Sequence, residues 1–363
     1  MNSGVCTDWL PGGLCAWIGS LPVKDHEEAV WLVRQYCPDI PIWVQLPHFP
    51  VEQMIPQFAH GMPGLKTQDD KILVDSSGPG FDAEMLSFFE DYMAVADGSL
   101  DIDVSRFALE ESVAPGFYAL ERALGQKAFS PFAVKGQVTG PFTFGTSLVD
   151  QDGRAVFYDD MLRDAAVKLI AMKAKWQVRR MKAANVPVLL FLDEPALAGF
   201  GSSAFISVSA EILHTVFAEV IDAVHEEGGI AGIHVCANTE WPLLLETPVD
   251  IVSFDAYSYF DKFILYEDQV RSFLKKGGIL AWGIVPTGDP EAIEKETKNS
   301  ILARWEDAAA RVGRLGFDRQ QILSQSLITP SCGTGSLSVD QAVRVIRMTR
   351  AVSNSLRGRD AGS

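Results

Sequence analysis

Short apolar segments alternate along this chain with longer amphipathic segments, and this alternation most limits the possible folds. Short buried strands that alternate with helices are typical of βα units around a parallel sheet. Eight segments have the length and apolar character of such strands. They are Gly13–Gly19, Ile40–Gln45, Ala133–Val138, Val186–Leu192, Ile230–Cys236, Asp250–Phe254, Gly278–Trp282 and Ile322–Leu327.

The segments between most of these strands have helical spacing. In Asp159–Ala184, apolar residues such as Leu162, Ala165 and Leu169 recur three and four positions apart. Ser338 precedes an acidic first turn and is predicted to be an N-cap. The further predicted helices are Ala210–Glu227, Lys262–Lys275, Glu294–Leu315 and Ser338–Asn354.

Eight units in 363 residues favour an α/β fold of the closed (β/α)8 TIM barrel type. No Gly-x-Gly-x-x-Gly loop follows a strand, which argues against an open doubly wound sheet. Residues 49–131 exceed a simple crossover and contain two predicted helices, Ala83–Ala96 and Pro115–Leu124. We therefore expect one catalytic domain over residues 1–363, with the 49–131 insertion capping the barrel mouth.

Composition excludes several classes of function. A net charge of -16 disfavours a nucleic-acid partner, because phosphates would be repelled. No apolar run reaches about 18 residues, so no membrane span is predicted. The cysteines are scattered and no leader segment is evident, so a reducing cytoplasm is the expected compartment. These cysteines are Cys6, Cys15, Cys37, Cys236 and Cys332.

The pair His234-Val235-Cys236 ends a predicted strand, and Cys332 lies far downstream in Ser331-Cys332-Gly333. Residues i and i+2 of a strand project from the same face, so the imidazole and the thiol can converge on one metal ion. One His and two Cys suit a zinc ion that keeps a position open. The alternative is that these residues simply pack in an apolar strand.

Further reactive side chains fall at the predicted carboxyl ends of strands, where barrel enzymes hold their chemistry. Asp193 and Glu194 follow the fourth strand, Asp255 follows the sixth, and Ser20 follows the first. This common placement favours a catalytic site over packing for the His234 and Cys236 pair.

Four motifs resemble, in the same order, the catalytic half of cobalamin-independent methionine synthase. The wider superfamily includes uroporphyrinogen decarboxylase and zinc-dependent methyltransferases that use corrinoid proteins. An opening segment, Ile18-Gly19-Ser20-Leu21-Pro22, extends the likeness over nearly the whole chain. The motifs are Val134-Lys135-Gly136-Gln137-Val138-Thr139-Gly140-Pro141, Leu192-Asp193-Glu194-Pro195-Ala196-Leu197, His234-x-Cys236 and Ser331-Cys332-Gly333.

The resemblance implies a Zn2+ site. His234, Cys236 and Cys332 match the zinc ligands of the family. The remaining family ligand is a Glu, and Asp255 is the nearest equivalent, with a shorter side chain. Asp255 is thus a candidate catalytic residue and metal ligand, or alternatively a cap of the following helix.

The resemblance also implies a substrate site. Asp193 matches the residue that holds the amino group of homocysteine, which makes it a candidate catalytic and substrate-binding residue. Ser20 matches a residue that meets the substrate carboxylate, although a simple turn role stays open. Glu194 either lies beside the substrate or forms a buried pair with Lys135.

Two departures from the family concern the amino acid and the methyl donor. Residues 45–50 contain no carboxylate where the family has a second acid for the homocysteine amine. Residues 283–288 contain no His where folate-using members carry a proton donor. A tertiary amine such as folate leaves poorly without an acid, so a corrinoid protein is the expected methyl carrier.

The sequence therefore predicts a zinc-dependent methyltransferase that transfers a methyl group to a zinc-activated small thiol, with homocysteine favoured. Two alternatives remain. One is a decarboxylase of the uroporphyrinogen type, which needs no metal but requires basic groups at its entrance. The other is a non-catalytic zinc-binding protein of the same fold.

Overall fold

A seven-stranded parallel sheet organises the protein, whose computed structural model describes residues 9–69 and 71–359. Its strand order is β1-β9-β8-β7-β6-β5-β4, and a separate antiparallel hairpin pairs β2 with β3. The strands are β1 Leu14–Cys15, β2 Leu65–Gln68, β3 Lys71–Val74, β4 Val134–Thr139, β5 Val188–Asp193, β6 Ile230–Val235, β7 Ile251–Phe254, β8 Ile279–Val285 and β9 Ser326–Pro330.

The prediction of a closed eight-stranded barrel is wrong, because the sheet is a curled, open half-barrel of seven strands. The expected strand Ile40–Gln45 forms only isolated bridges, Ser20 to Gln45 and Ile42 to Lys135. Pro41 lies within that segment and has no N–H to donate, which interrupts a regular ladder. The expected first strand also shortens, to Leu14–Cys15.

Another correction concerns the last strand, predicted at Ile322–Leu327. Asp318 and Gln321 form a capping box that starts a helix there, and the strand begins only at Ser326.

The helices pack against the outer face of the sheet, and several begin at side-chain caps. Asp159 accepts bonds from Met161 N and Leu162 N at the start of α6. Ser338 caps the last helix, as predicted. Among the described residues, no helix is long and apolar enough to cross a membrane. The helices are α1 His26–Tyr36, α2 Met54–Ala59, α3 Phe81–Ala96, α4 Pro115–Gly125, α5 Pro141–Ser147, α6 Asp160–Met181, α7 Ala210–Glu226, α8 Trp241–Leu245, α9 Ala256–Phe263, α10 Glu267–Lys275, α11 Pro290–Lys295, α12 Lys298–Gly313, α13 Arg319–Ser324 and α14 Val339–Leu356.

The insertion at 49–131 contains the two helices expected there, now α3 and α4. It also contains α2 and the β2–β3 hairpin, which were not predicted.

The two faces of the sheet carry separate apolar clusters. On β5, Leu190 and Leu192 belong to the large core under the helices, whereas Leu189 and Phe191 belong to a smaller inner cluster. Side chains alternate along a strand, so the next residue on the inner face is Asp193. The inner face therefore changes from apolar to polar toward the carboxyl ends of the strands, which is where the candidate site lies.

Candidate metal centre

The three predicted zinc ligands lie together. Among the described residues, the ligand atoms of His234, Cys236 and Cys332 form a group in which all lie within 4.8 Å of one another. His234 is on β6 and Cys332 follows β9, with two strands between them in the sheet. The curl of the sheet therefore brings residues from separated strands to one point.

The His234 imidazole is positioned for ligation. Its Nδ1 lies 2.9 Å from Ser253 Oγ. Its Nε2 is buried and has no hydrogen-bond partner among the described residues. Burial, aided by the charge of Lys135, lowers the pKa of His234 to about 3, so the ring is neutral near pH 7. A neutral ring with a buried, unpartnered nitrogen fits a metal ligand.

The two thiols interact directly. A hydrogen bond from Cys332 lowers the pKa of Cys236, against the effect of burial, and the same contact raises the pKa of Cys332. The pair therefore gives up its first proton at Cys236, and a bound cation would favour loss of both. One nitrogen and two sulfur donors are the chemistry that zinc prefers.

Hydrogen bonds fix the loop that carries Cys332. Ser331 Oγ lies 2.9 Å from Thr287 Oγ1 and accepts a bond from Thr287 N at 3.1 Å. In the sequence, residues 283–288 are notable only for the absence of a His. The structure shows that Thr287 instead ties the end of β8 to the residue before Cys332.

Ser20 holds the other side of the same loop. Its carbonyl accepts bonds from Thr334 N at 3.0 Å and Thr334 Oγ1 at 3.1 Å, and its Oγ accepts one from Gly335 N at 3.2 Å. Ser20 also lines the cavity beside the metal centre. Ser20 is thus in contact with both the loop and the cavity.

Asp255 lies close to the group but outside it. Its Oδ1 accepts a bond from Ser258 N at 2.8 Å and caps α9. Its charge opposes the lowering of the Cys236 pKa that the Cys332 hydrogen bond causes. The capping role is observed, and a role as a fourth ligand stays a prediction.

Asp193 ends β5 and lines the cavity. Its Oδ1 is buried and lacks a hydrogen-bond partner in the described part of the chain. Burial raises the pKa of Asp193 to about 7, and the nearby ammonium of Lys135 opposes this rise. Lys135 itself is buried, donates to Ile18 O at 2.6 Å and lies 4.4 Å from the centre of the Phe191 ring.

Glu194 faces away from this cavity. Its carboxylate accepts bonds from Phe142 N at 2.9 Å, Thr143 N at 2.8 Å and Thr143 Oγ1 at 2.5 Å, in the first turn of α5. Gly140 makes this possible, because a Cβ there would collide with the Glu194 carboxylate. The alternative of a buried pair with Lys135 is not found among the ion pairs of the described residues, and a role of Glu194 in substrate binding stays a prediction.

A cavity of about 570 Å³ adjoins the metal centre. Residues 52–54, at the start of the 49–131 insertion, contribute to its wall, and Glu52 among them was not a predicted site residue. Glu52 is 2% exposed and is bonded to His26 Nε2 at 2.9 Å and to Leu46 N at 3.0 Å. The sequence around Glu52 gives no sign of this role, because its hydrogen-bond partner His26 lies 26 positions away. The polar side chains of the lining are Ser20, Gln45, His48, Glu52, Gln53, Asp193, His234, Cys236, Cys332 and Ser336.

Comparison with known proteins supports the fold alone. No protein-family model and no curated protein matches the sequence. The structure is similar to that of a methyltransferase from Methanosarcina mazei, with a TM-score of 0.53 and 12% sequence identity. The similarity covers 96% of this chain and 95% of that one. The chain thus has a methyltransferase-like fold with a His, Cys and Cys group that could hold a metal ion.

Proposed function

We propose that this protein is a zinc-dependent methyltransferase that transfers a methyl group to a small thiol. The observation that carries the proposal is the convergence of His234, Cys236 and Cys332 beside an open cavity. The whole-chain similarity to a methyltransferase adds support at the level of the fold.

His234, Cys236 and Cys332 would hold the metal, and the donor set favours zinc over magnesium or calcium, which prefer oxygen ligands. Zinc bound there would lower the pKa of an incoming thiol and keep it as the thiolate. Methyl transfer then forms a sulfur–carbon bond and breaks the bond between carbon and the donor atom.

Asp193 would select the acceptor. Its unpartnered buried oxygen lies on the wall of the same cavity and suits an ammonium group. A cation bound there would also satisfy an atom that otherwise has no partner. Homocysteine, which carries both an ammonium and a thiol, is the acceptor we favour.

For the methyl donor, a corrinoid protein is our first candidate, because residues 283–288 contain no His to protonate an amine. A second candidate is a methylated tertiary amine of the folate type. It is favoured by one observation: His48 lies on the cavity wall and could protonate such a leaving group.

The two alternative functions receive less support. A decarboxylase for a polycarboxylate requires cationic side chains, and no lysine or arginine is among the described residues that line the cavity. A purely structural zinc site would be closed, whereas this group adjoins open space.

Metal analysis and zinc-edge X-ray absorption test the proposal. We expect about one zinc per chain, lost in Cys236→Ala and Cys332→Ala but kept in Cys15→Ala, which removes a buried thiol elsewhere. Added homocysteine should place an additional sulfur on zinc and should become methylated with one of the two donors. Full zinc occupancy in both site variants would refute the metal centre, and unchanged coordination with every thiol would favour the structural alternative.

A further inference from the structure

Ser253 is a buried polar residue in an otherwise apolar strand. It is 0% exposed and lies on β7, next to Val252 and Phe254. The register of β6 and β7 pairs Ser253 directly with His234, which is 3% exposed. Its Oγ lies 2.9 Å from His234 Nδ1.

The position of the ring proton decides whether His234 can bind a metal. A neutral imidazole carries one N–H, so Nε2 has a free lone pair only when the proton is on Nδ1. That N–H is buried and needs an acceptor, since an unsatisfied buried donor costs about 1–3 kcal/mol. Ser253 Oγ is the acceptor that the strand register supplies.

We propose that Ser253 is a positioning residue, which accepts a hydrogen bond from His234 Nδ1–H and so directs a free Nε2 lone pair toward Cys236 and Cys332. This rests on the metal centre of the proposed function. A hydroxyl can also donate to Nδ1, which places the ring proton on Nε2. Ser253 therefore satisfies His234 in both tautomers, and metal binding selects one of them.

Zinc affinity, measured by competition with a chromophoric chelator, tests this role. The Ser253→Thr and Ser253→Val variants carry side chains of nearly the same shape. They differ because valine has a methyl group where threonine has its hydroxyl group. We expect the Ser253→Val and Ser253→Ala variants to bind zinc roughly 10- to 100-fold more weakly than the parent, whereas Ser253→Thr should retain most of the affinity. Ser353→Ala removes another buried serine bond, to Gly13 O at 2.7 Å, and should leave zinc affinity unchanged.

Two further measurements separate the possible failures. Nitrogen-15 spectra of the zinc-loaded parent should show the His234 proton on Nδ1, and His234→Ala should weaken zinc binding at least as much as Ser253→Val. If the parent binds no zinc, the metal centre and the role of Ser253 both fail. If His234→Ala weakens zinc binding but the Ser253→Val and Ser253→Thr variants bind zinc equally well, only the role of Ser253 is refuted.

Discussion

A buried lysine outside the candidate site should lower the stability of the protein in a way that depends on pH. Lys173 on α6 is 0% exposed, and its Nζ has no hydrogen-bond partner among the described residues. Burial lowers the pKa of Lys173 from 10.5 to about 7, and the Glu110 charge opposes this shift. Replacing Lys173 with Met gives an unbranched side chain of similar length and removes the ammonium group.

The size of the effect follows from linkage. At about 1.4 kcal/mol for each pKa unit, the buried amine costs about 5 kcal/mol of folding free energy well below pH 7 and about 4 kcal/mol at pH 7. The folded-state pKa is depressed, so the cost is full below about pH 7 and shrinks as the pH rises toward 10.5. Lys173→Met should therefore be more stable than the parent at pH 7, by a difference that becomes small near pH 10.

Denaturant unfolding at pH 7 and pH 10 measures the difference in unfolding free energy between parent and variant at each pH. In thermal unfolding at pH 7, the melting temperature should rise by about 5 °C, given the unfolding entropy of a chain of this length. Lys175→Met on the same helix is the control, because Lys175 is also largely buried but its Nζ is paired with the exposed Glu226 at 2.8 Å, so its replacement should not give the same pH-dependent gain in stability. A Lys173→Met protein that is less stable than the parent at pH 7, or whose advantage does not fall with pH, would refute the reasoning.

Three further predictions concern the site. Removing zinc with a chelator should abolish methyl transfer and lower the melting temperature, and added zinc should restore both; activity that survives in zinc-free protein would count against a metal-dependent reaction. Asp193→Asn should raise the apparent KM for homocysteine or lower kcat while zinc content stays the same; equal kinetics in mutant and parent would contradict the ammonium contact. Methylcobalamin or a methylated corrinoid protein should support turnover in both parent and His48→Gln protein, whereas robust turnover with methyltetrahydrofolate alone, lost in His48→Gln, would replace the corrinoid with the second donor.

Several features of the site were predictable from the sequence, because they depend on local periodicity. The i, i+2 spacing predicted that His234, on β6, and Cys236, the residue after that strand, would lie together, and the end of β5 was placed within one residue of Asp193. The N-cap Ser338 was also predicted, since a cap bonds to residues only two or three positions away. Convergence with Cys332 followed from the expectation that all strand ends meet at one edge.

Contacts between distant segments could be decided only by the tertiary structure. Glu194 bonds to the start of α5 instead of Lys135, and Glu52 pairs with His26 at the cavity wall. The seven-stranded sheet likewise replaces the expected barrel, because isolated bridges do not make the Ile40–Gln45 segment a strand. Spacing along the chain determines which side chains share a face, but register and packing between elements decide which partner each buried polar group reaches.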